Sequence, residues 1–285
     1  MPAEQVREII TEELGFDLAE DDTLDAAVRQ RLAERRLTLA QYPAVLRNDP
    51  RELHALGQLL TVHETYFFRM RGHFDALRMS VINIEDRPPV VLSAGCSTGE
   101  EAYSLAIALR SVGCTNALVF ATDLSARALE TARAATYSEW SLRSVAAVDR
   151  ERWFTKVGQR WLVRSEIRAM VDFRPGNLVA DGAIPLGPFD AIFCRNVIMY
   201  FTRDAARTAV ARLTASLRTG GLLFLGHAET LRGLSEEYAI EQHADLFYYR
   251  HRPEAEPARV VKPQPTRSVA RVSPRESIVN TAPAA

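Results

Sequence analysis

One run of residues, Val90-Val91-Leu92-Ser93-Ala94-Gly95-Cys96-Ser97-Thr98-Gly99-Glu100-Glu101, indicates how this 285-residue chain folds. Its apolar start predicts a buried strand, its small residues predict a tight turn, and its two glutamates open a segment with the pattern of a helix. A parallel α/β sheet opens a nucleotide pocket in this way, because glycines let the backbone approach a ligand and the helix N-terminus offers unpaired N–H groups. Such a turn also occurs as a plain strand–helix connection, so it does not define a site by itself.

A second apolar run, Val119-Phe120-Ala121-Thr122-Asp123, ends in a carboxylate. Asp123 lies 24 positions after Gly99, close to the spacing of about 20 residues at which a carboxylate meets ribose hydroxyls in dinucleotide sites. Glu100 and Glu101 in the turn would repel a pyrophosphate, but not a ligand that combines an adenosine with a positive centre. The residues therefore favour S-adenosylmethionine as the ligand.

Composition excludes several classes of protein. Hydrophobic residues make up 47% of the chain and charged residues 25%, with a net charge of −1, so no global charge favours nucleic acid or membrane surfaces. The three cysteines have no metal-type spacing and cannot all pair, which is typical of a reducing cytoplasm. No run approaches the roughly 20 apolar residues of a membrane span. We expect a cytoplasmic protein with no nucleic-acid partner and no membrane insertion.

Periodicity divides the chain into segments. Residues 1–80 show only helical spacing of apolar residues, and 81–89 form a linker that ends in two prolines. Residues 90–251 alternate between strand and helix patterns, interrupted by a β-hairpin at about 153–164 around Gly158-Gln159. Residues 252–285 contain six prolines and no aromatic residue, which predicts a disordered tail that could precede a further module.

The alternating segment predicts a set of strands and helices. Strands are expected near 90–94, 117–122, 170–174, 189–194 and 221–226, helices near 99–112, 125–134 and 203–217, and a closely connected last pair of strands near 237–241 and 246–250, one of them antiparallel at the sheet edge.

Two polar residues mark the carboxyl end of the fourth strand. Arg195 and Asn196 follow it directly, where ligands bind in open α/β sheets, so they are predicted site residues. Asp190 lies at the amino end of the same strand, and a structural role is favoured for it.

Several motifs occur in one order along the chain: T-x-F-F-R, S-x-x-x-S-T-G-E-E-x-Y-S, F-A-T-D, F-D-A-I-F-C-R-N-V-x-x-Y-F and G-L-L-F-x-G-H. From about residue 1 to 250 they closely resemble the CheR family, the chemotaxis-receptor protein-glutamate O-methyltransferases. The resemblance implies an α/β fold with an N-terminal helical domain, a class I (Rossmann-like) methyltransferase domain and a small inserted β-subdomain. It implies S-adenosyl-L-methionine as cofactor and S-adenosyl-L-homocysteine as product.

The resemblance also implies site residues. Its cofactor contacts fall on His63, Thr65, Arg69, Glu101, Asp123, Asn177, Leu178, Arg195 and Asn196. Asp123 is expected on the ribose and Asn177 near the adenine, while His63 stands where members commonly have asparagine. The methyl-transfer pair falls on Arg69 and Tyr200.

The chemistry fits these residue types. A glutamate with a pKa of about 4.3 is already ionised at neutral pH, so its methylation needs no general base. The site must align carboxylate, methyl and sulfur, which is mostly a proximity effect. Arg69 would hold the carboxylate with its planar fork, and the Tyr200 hydroxyl would orient the reacting groups. The segment after the fourth strand lacks the D/N-P-P-Y/F turn of amino-methylating enzymes.

The substrate surface is predicted on the N-terminal helices. Four arginines lie within eight residues, Arg29, Arg31, Arg35 and Arg36. Such a run is usually a solvated face. By resemblance it binds the acidic helices of a chemoreceptor-like cytoplasmic helical bundle, and the short hairpin loop favours docking without a tether peptide. Two alternatives stay open: a non-catalytic S-adenosylmethionine-binding regulatory module, and a methyltransferase for another protein or nucleic-acid acceptor.

Overall fold

The computed structural model describes residues 1–18, 22–61, 64–82, 84, 86–180, 182, 184 and 187–252. Apart from its first residue, the predicted tail lies outside these ranges. The helices are α1 (Pro2–Leu14), α2 (Asp22–Arg35), α3 (Tyr42–Asn48), α4 (Pro50–Leu59), α5 (Arg71–Val81), α6 (Glu100–Ser111), α7 (Ala126–Ala134), α8 (Ala147–Trp153), α9 (Ser165–Arg168) and α10 (Arg203–Ser216). The strands are β1 (Val90–Ala94), β2 (Leu118–Asp123), β3 (Thr136–Tyr137), β4 (Phe154–Val157), β5 (Arg160–Val163), β6 (Val171–Pro175), β7 (Phe189–Cys194), β8 (Leu217–Leu225), β9 (Tyr238–His243) and β10 (Leu246–His251).

Helices α1 to α4 share an apolar core. In α1 the residues at three- and four-residue spacing, Val6, Ile9, Ile10 and Leu14, are all buried. Helix α5 packs elsewhere: Phe74 lies in the core of the sheet, with its ring centroid 5.5 Å from that of Phe193. Periodicity predicted α5 as a helix but could not tell which of the two cores it joins.

A seven-stranded sheet forms the centre of the fold. Its strand order is β6-β2-β1-β7-β8-β10-β9, and β6, β2, β1, β7 and β8 run parallel. Strand β1 lies in the middle, with β2 and β6 on one side and β7 and β8 on the other. This arrangement confirms the predicted Rossmann-like sheet, and it brings the segments after β1, β2, β6 and β7 to one edge.

The last two strands differ in part from the prediction. Strand β10 is antiparallel to β8, but it lies inside the sheet, and β9 forms the edge beyond it. The closely connected pair folds back, so the second strand of the pair enters the sheet first. The sequence pattern gives the pairing of a hairpin but not which of its strands contacts the sheet.

The inserted segment forms a separate three-stranded sheet of order β3-β5-β4. Strands β4 and β5 are the predicted hairpin around Gly158-Gln159. Strand β3, with only two residues, was not predicted, because two residues carry no readable alternation. It adds the third strand that an isolated hairpin needs for stability.

The N-terminal helices contact the carboxyl edge of the main sheet. The Asp17 amide donates to the Tyr200 carbonyl at 2.8 Å, and the Thr202 amide donates to the Gly15 carbonyl at 2.8 Å. Phe16 stacks on Phe201 with ring centroids 6.0 Å apart. This junction holds the two parts of the protein together beside Tyr200.

Asp190 is structural, as predicted. Its carboxylate accepts hydrogen bonds from the Arg87 guanidinium and, at 2.8 Å, from the Val90 amide, and Arg218 lies 3.1 Å away. Asp190 therefore fixes the start of β1, at the end of the sheet opposite to the carboxyl ends of the parallel strands. In the part of the chain that the structure describes, no helix has the length and apolar character of a membrane span.

Candidate active site

A cleft lies beyond the carboxyl ends of the central strands. It consists of two adjoining cavities that share Gly95, Ser97, Asn196 and Tyr200. We name them by their linings: the inner cavity lies beside Asp123 and the N-terminal helices, and the mouth lies beside Thr65 and Arg69. The inner cavity is also lined by Asp123, Asn177 and Leu178 and by residues of the N-terminal helices. The mouth is also lined by Thr65, Arg69, Glu101, Arg195 and Met199.

The turn after β1 approaches its neighbours closely. Gly95 has a φ of +80°, and a Cβ there would lie 2.4 Å from a Val197 methyl group. A Cβ on Gly99, which has a φ of +93°, would lie 2.8 Å from the Ala132 Cβ. Glycine is therefore required at both positions, by backbone conformation and by space. The turn is therefore packed closely against the segment after β7 and against α7.

Asp123 is held at the wall of the inner cavity. One carboxylate oxygen accepts from the Ser97 amide at 2.7 Å, and the other accepts from the Ser125 amide at 2.8 Å. These bonds connect the end of β2 to the turn after β1. The structure therefore presents the Asp123 carboxylate at the wall of this cavity.

Glu101 and Arg195 form a buried ion pair in the lining of the mouth. The Glu101 carboxylate accepts from Arg195 Nε at 2.7 Å and from the Ser93 hydroxyl at 2.7 Å. Arg195 also donates to the Arg69 carbonyl at 2.5 Å. The pair thus joins β1, α6, β7 and the segment before α5, and it fixes the position of Arg69.

This ion pair corrects one step of the sequence argument. Glu101 does not present an unpaired charge that would repel a pyrophosphate, because Arg195 neutralises it. Burial raises the pKa of the Glu100 carboxyl, which accepts from the Thr98 hydroxyl at 2.6 Å. The preference for S-adenosylmethionine therefore depends on the other features of the cleft.

Arg69 and Tyr200 lie at the mouth together with Thr65. The Arg69 guanidinium donates to the Glu64 carbonyl at 2.9 Å, and this bond orients it. Tyr200 is 38% exposed, and within the described ranges its hydroxyl has no hydrogen-bond partner. Both side chains are thus available to an acceptor that enters the cleft from solvent. His63 lies outside the described residues.

Asn177 and Leu178 lie on the inner cavity, as the prediction of an adenine contact requires. The Asn177 amide donates to the Glu13 carbonyl at 3.0 Å and accepts from the Val179 amide at 3.1 Å. Leu178 is buried. Asn196 has a φ of +59°, a conformation that asparagine tolerates. The structure therefore brings Asp123, Asn177, Leu178 and Asn196 together around one cavity.

The four arginines of the α2 region do not form one free surface. Arg31 forms hydrogen bonds from two of its nitrogens to the fully buried Glu52 carboxylate, and Arg35 lies 3.3 Å from Asp49 and 3.5 Å from Glu52. Arg29 and Arg36 are exposed. The sequence did not reveal this division, because Glu52 lies 21 positions beyond Arg31.

Sequence reasoning missed two parts of the site. The inner cavity is lined by residues of α1 and α2, of the loop between them and of the segment after α4: Leu14, Phe16, Asp17, Leu18, Thr23, Leu60 and Thr61. Their periodicity resembles that of any helical core. Glu229 contacts the segment after β7, and a signal for it existed, since it follows the carboxyl end of the fifth predicted strand.

The buried side chain of His73 should make the stability of the fold depend on pH. It is buried with one ring nitrogen 3.1 Å from the Phe247 carbonyl. Burial, followed by the charge of Arg195, lowers its pKa from 6.5 to about 4. As the pH falls, His73 therefore becomes protonated in the unfolded chain before it does so in the folded protein. Its contribution to the free energy of unfolding is fully present above pH 6.5 and is lost as the pH drops toward 4. At pH 5 the loss is about 2 kcal/mol.

Urea unfolding at pH 7 and pH 5 tests this expectation. The chain and its His73→Gln variant share all carboxylates, so only the histidine contribution differs between them. We expect the variant to lose about 2 kcal/mol less stability between the two pH values. Equal losses in the two proteins would show that His73 titrates normally.

Residues 63–246 match the family model described as CheR methyltransferase, SAM binding domain. The chain is 38% identical to the chemotaxis protein methyltransferase of Klebsiella aerogenes, over 70% of this chain and 71% of that protein. It is 30% identical to that of Listeria monocytogenes, over 85% and 94%. It is 32% identical to an uncharacterized 104.1 kDa protein of Rhodobacter capsulatus, over 90% of this chain and 28% of that protein. With this match across most of its length, the chain belongs to the CheR methyltransferase family.

Proposed function

We propose that this chain methylates glutamate side chains of chemoreceptor-like signalling proteins and gives glutamyl methyl esters. One observation carries the proposal: Arg69 and Tyr200 line the mouth of a cleft whose inner part contains Asp123. The planar guanidinium of Arg69 can hold a carboxylate. The Tyr200 hydroxyl, which has no hydrogen-bond partner in the described residues, can donate to one.

The residues of the cleft fit S-adenosylmethionine. Asp123 and Asn177 would hold the adenosine in the inner cavity, and Glu101, Arg195 and Thr65 would hold the methionine part at the mouth. When bound, it supplies a sulfonium methyl group, which moves to a carboxylate oxygen and leaves S-adenosylhomocysteine and a neutral ester. His63 belongs to the proposed contact set by resemblance.

The chain's own residues act by alignment. The acceptor carboxylate is already ionised near neutral pH, so no residue has to remove a proton from it. Arg69 would hold that carboxylate in line, and Tyr200 would fix its approach. Cys96 and Cys194 take no part as nucleophiles, because burial raises the pKa of both thiols well above the ordinary value.

The acidic helices of a receptor bundle are the proposed partner of the α2 region. Helix α2 begins beside the inner cavity, since Thr23 lines it. Arg29 and Arg36 are exposed, and Arg35 is 44% exposed despite its ion pairs. Exposed arginines on a helix that begins at the cleft support an acidic helix as the substrate, because they would steer that helix.

Arg29→Ala and Arg31→Ala separate substrate binding from stability. Burial alone would raise the pKa of the Glu52 carboxyl, but hydrogen bonds from Arg31 and Tyr42 outweigh burial and lower that pKa. Arg31→Ala leaves a buried carboxylate without its main partner and should cost about 2 kcal/mol, a value reduced because Tyr42 and Arg35 remain. Arg29→Ala should leave stability unchanged and raise the Michaelis constant for receptor fragments.

Urea unfolding measures the stability of both variants, and steady-state kinetics measures their Michaelis constants for receptor fragments. If Arg29→Ala binds receptor fragments as the parent does, α2 is not the docking surface. If Arg31→Ala is as stable as the parent, the Glu52 network does not stabilise the helices.

The proposed reaction is tested with cytoplasmic receptor fragments and methyl-labelled S-adenosylmethionine. We expect label that is released by mild base and maps by mass spectrometry to glutamate residues. Label that resists base would indicate a methylamine and another acceptor. Cofactor binding without turnover on any fragment would indicate a regulatory module instead.

A further inference from the structure

Glu229, in the loop after β8, gathers four backbone amides at one carboxylate. One oxygen accepts from the Gly226 amide at 2.6 Å and from the Asn196 amide at 2.7 Å. The other accepts from the Val197 amide at 2.8 Å and from the Met199 amide at 3.2 Å. Three of these amides belong to the segment 195–200, which carries Arg195 and Tyr200 at the mouth of the cleft.

The conformation of that segment explains why an anion is needed there. Strand β7 ends at Cys194, and Asn196 adopts the left-handed region with a φ of +59°, so the chain turns immediately after Arg195. The amides of Asn196, Val197 and Met199 then turn toward the same point and need an acceptor. A single carboxylate provides enough acceptor sites for all of them.

The contact between Glu229 and the segment 195–200 leaves no room for a side chain at Gly226. A Cβ at Gly226 would lie 2.7 Å from a Glu229 carboxylate oxygen and 2.8 Å from the Asn196 amide nitrogen. Any side chain at position 226 would therefore separate the two loops. The absence of a side chain there and the four hydrogen bonds are independent signs of the same close junction.

We propose that Glu229 is a positioning residue, which holds the segment 195–200 so that Tyr200 faces the acceptor. The proposal rests on the role of Tyr200 in the proposed function. Glu229 lines neither of the two cavities. It acts through backbone amides before and within the short helical turn Ile198–Tyr200.

Glu229→Gln is the informative substitution because it keeps the shape of the side chain. A glutamine has one carbonyl oxygen, and its NH2 group would face two backbone N–H donors. We expect faster amide hydrogen exchange in a peptide covering 195–201, measured by mass spectrometry without any substrate. We also expect kcat to fall about 10- to 100-fold, as misplacement of a reacting group by about 1 Å does.

The matched control is Glu236→Gln, since Glu236 is an exposed carboxylate a few residues further on. This variant should exchange and turn over like the parent. The Tyr200→Phe variant and the Glu229→Gln/Tyr200→Phe double variant complete a cycle. If Glu229 acts through Tyr200, the double variant should be hardly slower than the slower single variant.

The outcomes separate this inference from the proposed function. Unchanged exchange in Glu229→Gln overturns the inference whatever the rates are, and multiplying rate losses in the cycle overturn the link to Tyr200. If Tyr200→Phe turns over like the parent, the assigned role of Tyr200 fails and the link from Glu229 through it fails as well. Faster exchange in 195–201 would then show only that Glu229 holds the segment.

Discussion

Replacing Asp123 with alanine is expected to weaken the binding of S-adenosylmethionine by a factor of about 10² to 10⁴. The variant would lose two charge-assisted hydrogen bonds to the ribose, each worth about 1.5–3 kcal/mol. The structure supports this role, because two backbone amides hold the Asp123 carboxylate at the inner cavity. Calorimetric titration of the parent and the variant measures the change in affinity.

A second ligand distinguishes ribose binding from damage to the turn. Asp123 also holds the Ser97 and Ser125 amides, so alanine could weaken binding through the backbone alone. The parent should bind the 2′-deoxy form of S-adenosylhomocysteine more weakly than S-adenosylhomocysteine, and Asp123→Ala should bind the two alike. Asp172→Ala, which removes an exposed carboxylate on β6, is the control and should bind as the parent does. Equal discrimination between the ligands in all three proteins would remove Asp123 from the ribose.

The regular parts of the sheet were predictable because each carries a clear pattern. Strands β1 and β7 and helix α10 fall within one residue of their predicted ends, since apolar runs and caps bound them. Strand β8 was predicted from 221 but begins at Leu217. Gly220 and Gly221 resemble a turn before a strand, yet they lie where the pairing with β7 shifts in register. A bulge and a turn need the same residues.

Without the family resemblance, residues that line the cleft were predictable only where polar residues follow strands. Asp123 and Asn196 were found from that position, whereas nothing in the sequence linked Arg195 to Glu101 across 94 positions. The same limit explains Arg31, which belongs to a run of like charges but forms its ion pair with a distant buried glutamate. A sequence shows the charges of a chain; only the fold shows which of them neutralise each other.

Arg69→Ala and Tyr200→Phe are expected to separate binding from chemistry. Tyr200→Phe removes one hydroxyl and keeps the ring, so its contacts around the cleft remain. Because that hydroxyl has no partner in the described part of the chain, its loss should leave the fold and cofactor affinity nearly unchanged. If it aligns the reacting groups, kcat should fall by about 10² while the Michaelis constant for the receptor stays similar.

Arg69→Ala should lower affinity and rate together, since it removes the guanidinium from the mouth that the cofactor and the acceptor are proposed to share. Single-turnover methylation of receptor fragments at saturating cofactor, with titration of S-adenosylhomocysteine, gives both quantities for each variant. Parental rates in Tyr200→Phe would end its assignment to the chemistry. Equal loss of cofactor binding in the two variants would make Tyr200 a structural wall of the cleft, because a hydroxyl that serves only alignment cannot contribute as much to cofactor binding as a whole guanidinium.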